Sequence, residues 1–252
     1  MREALEERET LLVAMPHISW PLRFVLPVHA GIRFDTTTPT SRLLNLVFPW
    51  MKGRRPAWLL RLGLFLYDSM GGRQILPGTR RLDLTRDKIG RALKPGMALA
   101  WEYSDCWIED ARLVVLNARD AQARGATVLV RTRVTAAARQ GDLWRIETEG
   151  PGGKAVHLAR GLVNAAGPWV GQVLGLIEGP KPTAQVRLVR GSHIVTRRLH
   201  DDPRALFLQG SDGRIVFIIP YEQDFSLIGT TEAAQAAAPA GAPSAGGGRA
   251  AP

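Results

Sequence analysis

Two stretches of the sequence gather residue types that could do chemistry. Residues 159–170, ARGLVNAAGPWV, set Ala165, Ala166 and Gly167 just ahead of Pro168. Side chains this small let a ligand approach the backbone closely. Proline is well tolerated in a first helical turn, so a helix is expected to start near Pro168, after a buried strand LVNAA. The free N–H groups of such a start suit an anion. A tight strand-to-helix packing corner would look the same, and spacing alone leaves both readings open. Residues 102–113, EYSDCWIEDARL, bring together Tyr103, Asp105, Cys106 and Trp107 with further charges. Cys106 is the only cysteine and has no neighbouring histidine. That argues against a catalytic thiol and against a disulfide framework or a cysteine-ligated metal site; no metal is expected. The stretch reads mainly as a corner, a strand leading into a helix. Glu109 and Asp110 suit the helix's positive end, and Arg112 is expected to pair with one of them or with Asp105.

The elements that must position these residues follow from composition and pattern. The chain has 252 residues, 45% hydrophobic, with 33 Lys and Arg against 23 Asp and Glu, a formal charge of +10. That is enough apolar content for a buried core. The basic excess attracts phosphates, anionic lipids and nucleic acid. No nucleic-acid motif accompanies it, and compositional bias accounts for part of it. REALEERETLL after Met1 has no apolar core and is not a signal peptide. AWLLRLGLFLY (residues 57–67) is too short to cross a membrane, which takes about 20 apolar residues; it suits a buried helix or a membrane surface.

Helical spacing is expected over REALEERETLLVAMPH up to Pro16, over Leu43 to Tyr67 with breaks at Gly53 and Pro56, and over IEDARLVVLNARDAQARG, ended by Gly125. GIRFDTTTPTS reads as a loop. Strands are expected at RFVLPVH, ended by Pro27, at ALAWEYSD, and as a pair within TVLVRTRVTAAAR. DLWRIETEG and AVHLARG extend that small antiparallel sheet. Three more strand patterns follow Pro180 in AQVRLVRGSHIVTRR, RALFLQG and GRIVFIIPYEQDFSLIGTT. The order suggests an α/β, α+β mix. From Ala233 the Ala/Gly/Pro-rich run has no large apolar residue and reads as disordered.

ARGLVNAAGPWV, EYSDCWIEDARL, RLVRGSHIV and IVFIIPYEQDFSLIGTT, with RPAWLLRLGLFLYDSMGGR and LPGTRRLDL, closely resemble the FAD-dependent, quinone-linked glycerol-3-phosphate dehydrogenases, in the family's order and over most of residues 1–231. The resemblance implies a partial Rossmann-like FAD domain over 1–180, with a small β-sheet and inserted helices. It implies part of an antiparallel substrate or cap sheet over 181–232, further cap elements within 18–100, and a tail at 233–252. It implies FAD as cofactor and glycerol 3-phosphate as substrate. Membrane quinone would be the electron acceptor, at the cytoplasmic face of a bacterial inner membrane or in the cytoplasm. Val134 would offer its backbone to the adenine, and Ala166 and Gly167 would line the pyrophosphate and ribitol. Ser192 and His193 would face the substrate, with His193 the acid–base candidate by residue type. Arg187 and Arg190 are candidate phosphate ligands, Tyr221 would close the pocket, and Asp105 would reach it. Each also has a plain structural reading, as a sheet residue, a surface arginine or a strand cap.

The sequence departs from the family in places. It contains no G-x-G-x-x-G turn, GPGGK being hairpin-like, and Glu232 stands where the family has Asp after GTT. The chain is therefore expected to be the middle of the enzyme, a truncated or frameshifted form that binds FAD weakly alone. Two alternatives stand beside this reading. One is an FAD-dependent amine or amino-acid oxidase, which shares the corner but not EYSDCWIEDARL. The other is a non-catalytic, basic, membrane-surface-binding remnant.

Overall fold

The computed structural model describes residues 2–29, 57–70, 75–179, 186–210 and 214–235. The loop expected at 31–41, the breaks at Gly53 and Pro56, and residues 236–252 of the expected tail lie outside them. The fold is mixed α/β, with one large mixed sheet and one small antiparallel sheet. The chain divides into two compact units, residues 1–115 with 192–230 and residues 116–191 with 231–252, whereas the sequence pattern places the boundary at 180.

The first unit is built on a sheet of order β2-β3-β1-β8-β9-β10-β7. Its strands are β1 (Ser19–Val28), β2 (Arg80–Asp83), β3 (Leu99–Ile108), β7 (Leu188–Arg197), β8 (Ala205–Gln209), β9 (Ile215–Tyr221) and β10 (Phe225–Gln235). β1 runs antiparallel to β3 from Ser19 opposite Ile108 to Val28 opposite Leu99. It also meets β8 in parallel at Phe24 and Val25. Strand β1 is thus longer than expected, and Pro27 lies within it opposite Ala100. A proline removes a donor but leaves its acceptor, and the ladder with β3 carries both Pro21 and Pro27. β10 runs on to Gln235, three residues into the expected tail.

Because side chains alternate along a strand, β1 serves two packed faces. Val25 packs with Leu82, Leu84, Ile89, Ala100 and Leu206. Leu22 and Phe24 pack with Ala205, Tyr103, Trp107 and Phe217. Each fully buried Val, Leu, Ile or Phe side chain among these contributes about 1.5–3 kcal/mol. Helix α1 (Arg2–Ala14) and helix α2 (Ala57–Met70) belong to this unit. Each has a side chain that fastens it: Ser19 Oγ donates to the α1 carbonyl of Leu11 at 3.2 Å, and Asp68 of α2 accepts from the Thr79 N–H at 2.8 Å.

The second unit carries the sheet β4-β5-β6, from β4 (Arg133–Gln140), β5 (Leu143–Gly150) and β6 (Gly153–Ala159). Helix α3 (Asp110–Ala123) leads into it and ends where Gly125 takes a φ of +95°, as expected. Residues 126–132 form no strand, so β4 alone replaces the expected pair there. LVNAA is not a strand either, and Val163 is 87% exposed. Both runs have strand-forming composition, but a strand exists only with a ladder partner, and neither has one among the described residues.

Candidate functional site

The corner at 164–170 is set by local bonds. Asn164 donates its amide to the Val170 carbonyl at 3.0 Å and accepts from the Ala166 N–H at 3.3 Å. Gly167 takes φ +54°, a conformation costly to other residues. A 3-10 turn over Gly167–Trp169 with Pro168 inside it then passes into α4 (Val170–Leu176). A Cβ built on Gly167 would meet nothing within 4 Å. The backbone here is therefore open, as a closely approaching dinucleotide requires. Val134 sits at a register step in the β4–β5 ladder, which jumps from Val134–Thr148 to Ala136–Glu147. Bulges of this kind free backbone groups from the ladder. Open space over Gly167 and a bulge at Val134 fit the parts of FAD assigned to them, whereas the Ala166 N–H and C=O are bonded within the corner, to the Asn164 side chain and the Trp169 N–H. α4 is short, and it docks on β4 where the Glu178 N–H donates to the Ala137 carbonyl at 2.8 Å.

The residues expected around the substrate do not all share one face. In β7, Arg190 and Ser192 point to one side of the strand and His193 to the other, because neighbours in an extended chain alternate. His193 is exposed, and its ring lies against Gly229 of β10, where a Cβ would come within 2.1 Å of Cδ2. Arg187 lies one residue ahead of β7 and is exposed, while Arg190 is partly buried. Tyr221 ends β9 with its ring centroid 6.0 Å from Trp107, which in turn stacks on Trp20 at 6.4 Å. These rings line a cleft of about 260 Å³ with Glu109, Arg198 and Glu222 at its charged positions.

Asp105 is bound to the protein itself. It pairs with Arg8 of α1 at 3.1 Å and accepts from the Cys106 N–H at 2.9 Å. Arg8 also donates to the Tyr67 hydroxyl of α2. Arg112 makes no ion pair among the described residues: Glu109 accepts from the Trp107 indole at 3.2 Å and Asp110 from the Ala111 N–H at 2.7 Å. Burial, and then Asp105, push the Cys106 thiol up, which keeps it protonated and poorly nucleophilic.

One buried carboxylate carries no signal in the sequence. Glu102 is 2% exposed. Its carboxylate accepts from Arg23 at 2.8 Å and Arg80 at 2.6 Å, with Arg204 at 3.5 Å. Arg204 in turn grips Asp202 at 2.7 Å and Asp87. Burial alone would raise the Glu102 pKa, but the hydrogen bonds from Arg80 and Arg23 outweigh it and hold the group below its ordinary value. In sequence Glu102 is one acidic residue in a strand pattern; its partners are 79 and 22 residues away. No trio of metal-ligating side chains occurs among the described residues. None of their helices is long and apolar enough to cross a membrane.

Comparison with known proteins adds a family. The profile described as FAD dependent oxidoreductase matches residues 1–249. The D-erythritol 1-phosphate dehydrogenase of Brucella abortus is 47% identical over 93% of this chain and 43% of its own. The aerobic glycerol-3-phosphate dehydrogenase of Escherichia coli is 44% identical over 91% of this chain and 41% of its own. The chain thus spans less than half the length of these relatives. Among solved structures, the FAD-complexed glycerol-3-phosphate dehydrogenase of Bacillus halodurans superposes with a TM-score of 0.58 at 20% identity, covering 91% of this chain and 38% of its own. Glycine oxidase from Geobacillus kaustophilus superposes at 0.54 and 16% identity, covering 92% and 54%. At such identities the superpositions speak for the fold alone.

Proposed function

Because this chain belongs to the family of FAD dependent oxidoreductases, we propose that the protein it represents oxidises the secondary alcohol of a polyol phosphate, with sn-glycerol 3-phosphate as substrate and dihydroxyacetone phosphate as product. The observation that carries this reading is the 44% identity to the E. coli aerobic glycerol-3-phosphate dehydrogenase over 91% of the chain. FAD, when bound, would supply the acceptor for the hydride from C2, with a membrane quinone as the final electron acceptor. The hydroxyl proton leaves to a general base as the C=O bond forms, and His193 is the residue type suited to that. Ala166, Gly167 and the Val134 backbone hold the cofactor. Arg187 and Arg190 hold the substrate phosphate through their guanidinium forks, beside Ser192, with Tyr221 and Asp105 at the pocket's margin. Peripheral attachment to the cytoplasmic face of a bacterial membrane completes the reading.

A second reading, oxidation of D-erythritol 1-phosphate, is favoured by the 47% identity to the Brucella enzyme. The two differ in one carbon of chain and one hydroxyl, so a substrate pocket separates them by the room it leaves for the extra unit and by hydrogen bonds made to its hydroxyl. Anaerobic mixing of the FAD-loaded, full-length enzyme with each polyol phosphate, and with glycine, decides the matter. Loss of the oxidised flavin's visible absorbance with glycerol 3-phosphate is expected. Bleaching by D-erythritol 1-phosphate alone would move the assignment to the longer substrate, and bleaching by glycine alone would end both.

A further inference from the structure

We propose that the cleft between helix α2 and the edge strand β2 is a binding site for a phosphate oxyanion. The cleft measures about 360 Å³, and its lining includes Arg61, Arg80, Arg81, Thr79 and Trp101. Arg81 stands directly across the ladder from Trp101, so their side chains share a face. The Arg61 guanidinium lies 6.0 Å from the centre of the Trp101 ring. Neither Arg61 nor Arg81 forms an ion pair among the described residues. The only carboxylate in the lining, Asp68, is buried and turned to the Thr79 backbone N–H at 2.8 Å. Behind Arg80, Glu102 is already shared with Arg23.

Two unmatched donors belong to residues of the lining. Trp101 is 7% exposed, and its Nε1 has no hydrogen-bond partner among the described residues; the buried Thr79 Oγ1 has none either. Native proteins rarely leave buried donors unmatched. Three guanidinium groups, an indole N–H and a hydroxyl ask for a ligand with several acceptor oxygens and more than one negative charge. Phosphate meets that demand better than a carboxylate, which offers two oxygens and one charge. Two sources carry this chemistry, a soluble phosphate and a phospholipid headgroup. Leu62, Phe65 and Leu66 of α2 are exposed next to the cleft, which would suit the second. None of the residues assigned above to FAD or to the polyol phosphate lines it, so the site stands apart from the oxidation.

The test uses the full chain in two arms: calorimetric titration with inorganic phosphate at constant ionic strength, and sedimentation with phosphatidylcholine vesicles containing or lacking phosphatidylglycerol. The Arg61→Gln/Arg81→Gln double variant is expected to weaken binding in the productive arm by roughly tenfold or more. Arg86→Gln, an exposed arginine outside the cleft, is expected to leave it unchanged. Thr79→Val keeps the side-chain shape but removes the unmatched hydroxyl; it should weaken binding without lowering the denaturation midpoint of the free protein. Calorimetric binding identifies a soluble phosphate as sufficient, and phosphatidylglycerol-dependent sedimentation alone identifies the headgroup. The proposal fails if neither probe binds, if the double variant binds like the parent, or if Arg86→Gln loses as much.

Discussion

Glu102 shows how much a single side chain can depend on its partners. A carboxylate this deep is tolerable only while its guanidinium neighbours stay in place, since an ion stranded in a low-dielectric interior is expensive. Replacing Glu102 with Ala leaves the largely buried Arg23 with neutral acceptors only, the Pro77 and Gly78 carbonyls and Ser104 Oγ, and a loss of about 3 kcal/mol in urea denaturation is expected. Glu102→Gln, which keeps the shape and one acceptor, should lose less. Acid should act the same way. Asp87 is held low chiefly by its hydrogen bond from Arg204. In Asp202, burial pulls upward and the Arg204 hydrogen bonds outweigh it. In all three carboxyls the folded pKa lies below the unfolded one. Their contribution to stability is thus complete above about pH 4–4.5 and is lost as pH falls through the folded values. The midpoint of urea unfolding is expected to drop as pH falls below about 4, with a shallower fall in Glu102→Gln. At the alkaline end the burial of Tyr103, with Asp105 and Tyr67 nearby, raises its phenol well above the ordinary range. The unfolded chain therefore ionises first, and stability declines as pH rises past about 10. Tyr103→Phe should flatten that decline in the same measurement.

Among the secondary elements, the pairing of β7 with β10 turns on one glycine. His193 packs where a Gly229 side chain would go. Gly229→Ala is expected to force His193 aside and destabilise the sheet by about 1–3 kcal/mol, the usual range for overpacking. His193→Ala/Gly229→Ala should recover most of that in a double-mutant cycle. Additive losses would show that ring and glycine are independent. The corner before α4 makes a contrasting case. Gly167→Ala meets no neighbour but forces a Cβ into φ +54°, a strain of about 1 kcal/mol. If the open backbone serves FAD, this variant should reduce flavin retention by the full-length enzyme well beyond what its small stability loss explains.

Across the molecule, the two units differ in how they bury apolar surface. The first has its core on both faces of a wide sheet. In the second, Ala137 is the only fully buried apolar residue described, and Val130, Val156, Leu158 and Val163 are exposed. Apolar side chains left in water invite partners or self-association where they adjoin, as Val156 and Leu158 do on one face of β6. The 252-residue chain is expected to bind a hydrophobic dye strongly and to retain less than stoichiometric FAD. The sequence holds no G-x-G-x-x-G turn to grip the pyrophosphate. Stoichiometric FAD on the isolated chain after gel filtration would show that the corner and the bulge suffice.

The sequence by itself determined what is set within a few residues. It marked the helix from Arg2 that stops short of Pro16, the helix from Asp110 that ends at Gly125 and the turn at Gly167, but its pattern over 213–231 reads as one strand where the structure folds a hairpin, β9 with β10. The two helices and the turn rest on capping, periodicity and backbone sterics, all written in neighbouring letters. Its longer motifs also carried the family. Only the tertiary structure decided the rest. Asp105 meets Arg8 across 97 residues, Glu102 collects arginines from separate strands, Ser192 and His193 part to opposite faces, and LVNAA finds no ladder. Ion pairs and strand pairing are properties of segments brought together by the fold, and a pattern within one segment says nothing about which partner will arrive.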